Sequence, residues 1–264
     1  MKEKFKIQSR KVYFSGFDGD QLAASLDFPQ GISPEQYVIV SHCFTCTKQT
    51  LTTARLGRGL AQAGYAVLRF DFTGLGESEG VFASTHFRSM VKDIECAADW
   101  LAAHYQPAKV LIGHSMGGTA SLAAVCDGGA SLAQVEKIVT LASPAVPGHV
   151  LHHFGSAMDK LQRGEAAEIK VAGQAYAVKP AFVEDVSSYD MTAQMRDCSI
   201  AVMAVQAGED ELIDPRDVQQ ILEYGNAASR LYQIDGADHL FSNRNHAEQL
   251  LTAILKWLKN GENK

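Results

Sequence analysis

The sequence reads Leu111-Ile112-Gly113-His114-Ser115-Met116-Gly117-Gly118 at the point that decides its fold. This Gly-x-Ser-x-Gly pattern directly follows an apolar strand-like run and directly precedes a helix-like run of small residues. A serine on a tight strand-to-helix turn needs small neighbours two positions to either side, because strand and helix converge there. Gly113 and Gly117 meet that need. The turn also places Ser115 at the start of a helix, where free N–H groups favour developing negative charge. We therefore predict that Ser115 is a catalytic nucleophile.

A serine hydroxyl is a poor nucleophile at neutral pH and needs a base held in the right tautomer. His239 follows the last predicted strand and precedes the C-terminal helix, where a loop could carry it to Ser115. We predict His239 as the general base. His246 lies in a helix pattern and is interpreted as a solvated residue, and His114 as packing beneath the turn. Three further histidines are interpreted as surface or pocket-lining residues, because the further ligands of a metal site are missing: His149, His152 and His153.

The acid of such a triad should follow the predicted strand at 200–205. The next segment, 207–215, contains four carboxylates. Asp210 lies near the strand end with room to turn inward, whereas Asp214 precedes Pro215 and is predicted to cap the next helix. The order Ser115, Asp210, His239 is also the order in which a nucleophile elbow of this kind is followed by its acid and base. We predict Asp210 as the acid.

An oxyanion hole needs two backbone donors. One is the N–H of the residue after the nucleophile, Met116. The second is expected in the loop that follows Ser41, and Phe44 is the best-placed residue there. Each such donor typically supplies about 3 kcal/mol of transition-state stabilisation.

Apolar runs alternate with helical patterns along most of the chain. Eight runs are predicted as strands: 11–14, 22–28, 37–41, 66–70, 110–112, 137–141, 200–205 and 231–234. Five segments are predicted as helices: 51–63, 87–104, 117–126, 217–224 and 245–259. This alternation predicts an α/β fold, a mostly parallel sheet with helices on both faces. The first two strands are joined by a short turn and should form an antiparallel hairpin at one sheet edge.

One segment, 144–195, breaks this rhythm because it is far longer than an ordinary connection to the next strand. Within it, residues 169–171 and 176–178 alternate in polarity around Gly173, which predicts a small hairpin flanked by helices. We predict a cap inserted into a core formed by residues 1–143 and 196–264.

Composition bears on the expected partners, the location and the state of the cysteines. The 264 residues include 24 basic and 30 acidic residues, a net charge of −6 without long blocks of one sign, so neither nucleic acid nor a membrane surface is an expected partner. The N-terminal region lacks the apolar run of a signal peptide. Five cysteines are an odd number and favour reduced thiols, so we expect a cytoplasmic protein without disulfides.

Several motifs together resemble the α/β-hydrolase superfamily over nearly the whole chain. Residues 113–117 look like its nucleophile elbow, 42–44 like its oxyanion loop and 71–78 like its Asp-x-Arg-Gly-x-Gly-x-Ser segment, while 210–213 and 238–239 match its acid and base positions. Cys43 replaces the usual glycine and Thr73 the usual arginine. The segments 42–46 and 69–74 resemble a bacterial subgroup of esterase-like hydrolases, some of which are fused to an OsmC-type domain.

The predicted cap is similar to that of bacterial feruloyl (cinnamoyl) esterases, which implies carboxylic esters as substrates by analogy. We therefore expect a serine esterase that needs no cofactor and no metal and acts on a small-molecule ester, with a homodimer left open. Phe154, Tyr176 and Phe182 are expected to shape the pocket. Three alternatives remain: a thioesterase, amidase or peptidase with the same triad, a thiol-redox protein that uses Cys43 and Cys46, and a non-catalytic binding protein.

Overall fold

The computed structural model describes residues 5–127, 129–171 and 173–259. The strands in this part of the chain are β1 (Ile7–Ser15), β2 (Gln21–Pro29), β3 (Tyr37–Ser41), β4 (Ala66–Phe70), β5 (Val110–His114), β6 (Lys137–Leu141), β7 (Ala167–Val171), β8 (Gln174–Val178), β9 (Ala201–Ala207) and β10 (Arg230–Ile234). The α-helices are α1 (Leu51–Gln62), α2 (Phe87–His104), α3 (Met116–Asp127), α4 (Ala157–Gln162), α5 (Pro180–Ser188), α6 (Met191–Met195), α7 (Pro215–Tyr224) and α8 (Arg244–Lys259). Short 3₁₀ turns occupy Phe82–Ser84, Ala130–Leu132 and Pro147–His153.

Eight strands form one sheet in the order β1-β2-β4-β3-β5-β6-β9-β10. The pairs β1–β2 and β2–β4 are antiparallel, and the five pairs from β4 to β10 are parallel. The predicted eight-stranded α/β-hydrolase sheet with an antiparallel edge hairpin is confirmed. Because parallel strands all end at the same sheet edge, the loops after β3, β5, β9 and β10 emerge together there.

Helices cover both faces of this sheet, as predicted. Successive strand side chains point to opposite faces. On β3, Ile39 belongs to the apolar core shared with α2 and α3, whereas Val38 and Val40 belong to the core shared with α1 and α8. The central strand β5 is buried along its whole length between these two layers, which is why it reads as a continuous apolar run.

The segment between β6 and β9 lies outside the main sheet. It contains the 3₁₀ turn at Pro147–His153, helix α4, the antiparallel hairpin β7–β8 and helices α5 and α6. The hairpin forms where the alternation predicted it. Apolar residues of the segment, such as Phe154, Ile169 and Phe182, join the core on the α2–α3 face. The division of the chain into a core and a separate cap remains a prediction.

The cysteines correct one expectation. Cys43 is bonded to Cys46 and Cys126 to Cys198, and Cys96 is the free cysteine of the described residues. The prediction of unpaired thiols was wrong because an odd count says only that one cysteine is left over, and because the fold brings Cys126 at the end of α3 to Cys198, 72 residues later in sequence. The prediction of a cytoplasmic location loses the support it drew from free thiols. Among the described helices, none has the length and apolar character that crossing a bilayer requires.

Candidate active site

Ser115 occupies the sharp turn between β5 and α3. Its φ of +53° lies in the left-handed region, which is uncommon outside glycine, and its N–H donates to the carbonyl oxygen of Leu141 at 2.8 Å. A Cβ atom on Gly113 would lie 2.4 Å from the carbonyl oxygen of Gly117, and one on Gly117 would lie 2.3 Å from the carbonyl oxygen of His42. Both glycines are therefore required by close backbone contacts, the second of them with the loop after β3.

His239 is hydrogen-bonded to Asp210. Its Nδ1 lies 2.9 and 3.1 Å from the two carboxylate oxygens, so Nδ1 carries the proton and Nε2 is left as the basic nitrogen. Asp210 also accepts hydrogen bonds from the N–H groups of Leu212 and Ile213. Burial acts to raise the pKa of Asp210, but the bond and charge of His239 together with these two N–H donors outweigh it and hold the pKa below its ordinary value. Asp210 is thus kept as a carboxylate that orients the imidazole.

Four of the predicted residues line one cavity of about 820 Å³. They are Ser115, Met116, Phe44 and His239. In the described residues the ring of His239 bonds to Asp210 and makes no hydrogen bond to Ser115; in unliganded enzymes this contact is often long and tightens when substrate binds. The N–H of Met116 lies at the first turn of α3, among the unpaired donors of a helix N-terminus.

The wall of the cavity includes aromatic side chains, as expected in part. Phe154 lines the cavity, together with Phe44. Phe182 packs behind them, with ring centroids 5.3 Å from Phe44 and 5.7 Å from Phe154. The hydroxyl of Tyr176 donates to the carbonyl oxygen of Thr45 at 3.1 Å, so this residue holds the loop after β3 and is absent from the residues that line the cavity. The segment after β6 therefore forms one side of the site.

The remaining histidines take several positions. His114 places its Nε2 2.8 Å from the backbone carbonyl oxygen of His239, a contact that sequence reasoning missed. His149 and His153 line the cavity, and His149 Nε2 donates to the carbonyl oxygen of Leu212 at 2.8 Å. His246, expected to be solvated, is half-buried, and its Nδ1 has no partner among the described residues.

The neighbouring carboxylate Asp214 behaves as predicted. It is the N-cap of α7 and accepts a hydrogen bond from the N–H of Arg216 at 2.8 Å, with Pro215 in the first helical turn. It therefore belongs to the helix start and leaves Asp210 as the acid bonded to His239. Within the described residues no group of three or more candidate ligands is arranged to hold a metal ion.

The sequence of the chain matches a family model over residues 32–185, more than half of its length, and that model describes the serine aminopeptidase family S33. The chain belongs to this family of α/β hydrolases. No curated protein sequence matches the chain.

Comparison with solved structures agrees with the assignment of this chain to the α/β hydrolases. The esterase domain of a protein from Rhodothermus marinus is 30% identical, with a TM-score of 0.75 over 95% of this chain and 97% of that one. Est1E from Butyrivibrio proteoclasticus, solved with ferulic acid bound, is 19% identical, with a TM-score of 0.77 over 96% of this chain and 100% of that one. The esterase Pf2001 from Pyrococcus furiosus is 18% identical, with a TM-score of 0.72 over 96% and 93%. At identities this low, the last two show the fold alone.

Proposed function

We propose that this hydrolase is a carboxylesterase that cleaves its substrate through an acyl-enzyme on Ser115. One observation carries the proposal: His239 bonds Asp210 through Nδ1 and lines the same cavity as Ser115. Such a site can take a proton from the serine hydroxyl, hold the resulting imidazolium beside a carboxylate and later return the proton to a leaving group. This arrangement needs no cofactor.

The reaction would proceed in two steps. Ser115 Oγ attacks the ester carbonyl while His239 Nε2 takes its proton, and the oxyanion of the tetrahedral intermediate accepts hydrogen bonds from the N–H groups of Phe44 and Met116. The C–O bond to the alcohol breaks as His239 protonates the leaving oxygen. Water, deprotonated by His239, then attacks the acyl-enzyme, and the acid leaves as Ser115 regains its proton.

Two observations support esters as the substrate class. The cavity has an apolar wall of Phe44, Met116, Val150 and Phe154 beside the nucleophile, which suits an uncharged acyl or alcohol group. The Rhodothermus marinus relative, which matches nearly the whole chain, is described as an esterase domain. We therefore expect a small-molecule ester as the substrate.

The test is hydrolysis of p-nitrophenyl esters from acetyl to dodecanoyl by the wild type and by Ser115→Ala. Loss of the nucleophile should lower kcat about a million-fold. The matched control is Ser188→Ala, which removes an exposed hydroxyl bonded to the carbonyl of Asp185 and should leave the rate unchanged. Retention of wild-type rates by Ser115→Ala, with the protein folded, would refute the acyl-enzyme.

The same triad could cleave a thioester or an amide, and the family description as serine aminopeptidases makes peptide bonds the stronger of these two alternatives. Matched p-nitrophenyl ester and p-nitroanilide substrates with one acyl group compare the two directly. A carboxylesterase should prefer the ester well beyond its greater intrinsic reactivity. A higher kcat/KM for the anilide would instead make this protein a peptidase.

The disulfide between Cys43 and Cys46 favours the redox alternative, because both residues line the cavity. A thiol-redox protein would exchange this disulfide with an external dithiol, which takes up the oxidation as the two cysteines are reduced. Thiol titration of the wild type and of Cys46→Ser, before and after dithiothreitol, tests this function. A reversible change of two thiols that occurs in the wild type and is lost in Cys46→Ser, without any Ser115-dependent hydrolysis, would favour it over the esterase.

A further inference from the structure

We infer that Lys48 is a positioning residue, whose buried ammonium group holds residues 42–48, the loop that contains the proposed oxyanion donor Phe44, in the geometry that stabilises the transition state. This inference rests on the proposed function, because it concerns the backbone donor of Phe44. Lys48 is absent from the residues that line the cavity, so it would act through the loop and without touching the substrate.

The ammonium group of Lys48 is enclosed by two carboxylates. Lys48 and Asp71 are each 1% exposed, and Nζ lies 2.5 Å from Asp71 Oδ2 and 2.6 Å from Glu77 Oε2. Lysine is almost never fully buried unless it is paired, because the charge must be taken out of water. A lysine whose side chain reached solvent would avoid that cost. The burial of this ion pair therefore points to a requirement for defined geometry.

The main chain of Lys48 is held as well as its side chain. Its N–H donates to Asp71 Oδ1 at 2.6 Å, and its carbonyl oxygen accepts from Arg69 at 2.5 Å. Arg69 is itself buried and is fixed by Asp27, with Nε 2.8 Å from Oδ2. Every polar group of Lys48 is thus attached to β4 or to the segment that follows it.

The other end of the loop is attached to the same segment. The Nδ1–H of His42 donates to the carbonyl oxygen of Cys43 at 2.8 Å, and its Nε2 accepts from the N–H of Phe72 at 3.2 Å. Phe44 lies between these two anchors, next to Thr45, whose φ of +65° marks the sharp bend of the loop. The anchors at His42 and Lys48 therefore help to set the direction of the Phe44 N–H, together with the Cys43–Cys46 disulfide and the bond from Tyr176 to Thr45.

The segment that follows β4 is shaped around the carboxylate of Asp71. Gly76 has a φ of +58°, and a Cβ there would lie 2.3 Å from Asp71 Oδ2. The backbone approaches so closely that the N–H of Glu77 donates to the same oxygen at 2.9 Å. Asp71 therefore binds the ammonium and two N–H groups at once, which gives the pair a single arrangement.

The consequence for catalysis follows from the distances that an oxyanion donor requires. Such a donor works at 2.7–3.1 Å from the oxyanion, and a displacement of about 1 Å can cost on the order of 100-fold in rate. Buried ion pairs contribute little net stability compared with apolar residues, so geometric definition is the better explanation for this one. Loosening the anchor should weaken binding of the tetrahedral intermediate more than binding of the ester.

The experiment compares Lys48→Met with Lys11→Met in the full chain. Lys11 pairs with the same Glu77 at 2.7 Å but is half-exposed and lies on β1, so its loss removes an ion pair without touching the loop. For Lys48→Met we expect kcat to fall about 10- to 100-fold with KM within about threefold of wild type. Affinity for an alkyl boronic acid, whose adduct with Ser115 places an oxygen in the oxyanion hole, should fall by the same factor. Lys11→Met should match the wild type in both.

Lys48→Met leaves the carboxylate of Asp71 buried without its cation, which destabilises the fold. A second variant therefore tests the same inference if Lys48→Met does not fold. Glu77→Gln changes a carboxylate that is 52% exposed and keeps the pair of Lys48 with Asp71. Its kcat and boronic acid affinity should fall together by about three- to tenfold, with KM unchanged. A folded Lys48→Met, or failing that Glu77→Gln, with wild-type kcat and boronic acid affinity overturns the inference, as does a loss confined to KM.

The two proposals fail in different ways. If Ser115→Ala keeps the wild-type rate, the esterase mechanism is wrong, and the role of Lys48 in placing the Phe44 donor is wrong with it. If Ser115→Ala is inactive and Lys48→Met is as active as the wild type, only the role of Lys48 is wrong.

Discussion

His114 Nε2 lies 2.8 Å from the backbone carbonyl oxygen of His239, and the two rings lie 5.0 Å apart between centroids. A carbonyl oxygen can only accept, so Nε2 carries a proton. Burial, followed by the proximity of His239, lowers the pKa of His114 to about 3, which keeps it neutral at working pH. The residue before Ser115 thus holds the backbone of His239, the proposed general base.

This contact predicts the effect of His114→Phe. Phenylalanine fills the space but cannot donate to the His239 carbonyl, and loss of such a bond costs about 1–3 kcal/mol. We expect kcat/KM for a p-nitrophenyl ester to fall about tenfold or more. His104→Phe is the control, since His104 is exposed and bonds within its own helix. Equal rates for His114→Phe and wild type would mean that the contact has no role in placing His239.

Asp210 and Asp214 lie in the same loop and should respond differently to removal of charge. Asp210→Asn keeps the size of the side chain but favours the wrong tautomer of His239, which in serine hydrolases lowers kcat about 10⁴-fold. Asp214→Asn is the matched control, because asparagine caps a helix as well as aspartate does. Its kcat and melting temperature should stay at wild-type values. A large loss of kcat in Asp214→Asn instead would assign the acid to the other carboxylate.

Two buried neutral histidines predict acid sensitivity. Burial lowers the pKa of His42 to about 4 and that of His114 to about 3, against an ordinary value of 6.5. Below pH 6.5 these two histidines therefore bind protons in the unfolded chain but not in the native protein. The free energy of unfolding falls as the pH decreases, until the native pKa values are reached. Each histidine can contribute a slope of up to about 1.4 kcal/mol per pH unit.

Urea unfolding between pH 7.5 and 4.5 measures this slope. We expect a constant free energy of unfolding above pH 6.5 and a steady loss below it. His114→Phe should show roughly half the wild-type slope, because only His42 of the pair remains. The control variant is His104→Gln, which changes an exposed histidine outside this buried pair. A wild-type protein with no loss between pH 6.5 and 4.5 would contradict the neutral burial of both rings.

The disulfide between Cys126 and Cys198 should stabilise the fold. It joins the end of α3 to the segment just before β9 across 72 residues, and removing such a bond typically costs about 2–4 kcal/mol. Dithiothreitol should therefore lower the melting temperature of the wild type. Cys198→Ala should melt at that lower temperature and respond much less to the reductant. A melting temperature that dithiothreitol leaves unchanged in the wild type would show that this bond adds no stability.

The main sheet was predictable because each of its strands carries a local pattern. The predicted ranges of β3, β4 and β6 match the observed ones, since both faces of these strands are buried and their sequences are mostly apolar. The hairpin β7–β8 was equally predictable from its alternation around Gly173. The prediction of unpaired thiols failed in part because Cys126 and Cys198 are distant in sequence, and nothing local indicates that their Cα atoms come within 5.4 Å.

By itself the sequence determined the elements and the candidate triad. The glycines around Ser115 and the strand before it follow from local chemistry, because a strained turn and a sheet strand each restrict which residues can stand there. Asp210 and His239 were predicted from their places after strands and from the order that such a fold uses. Only the tertiary structure decided what holds these groups in place. The bond from His114 to the backbone of His239 and the buried pair of Lys48 with Asp71 join residues that are far apart in the chain. Such contacts depend on how the loops at one sheet edge pack together, and a linear pattern does not encode that packing.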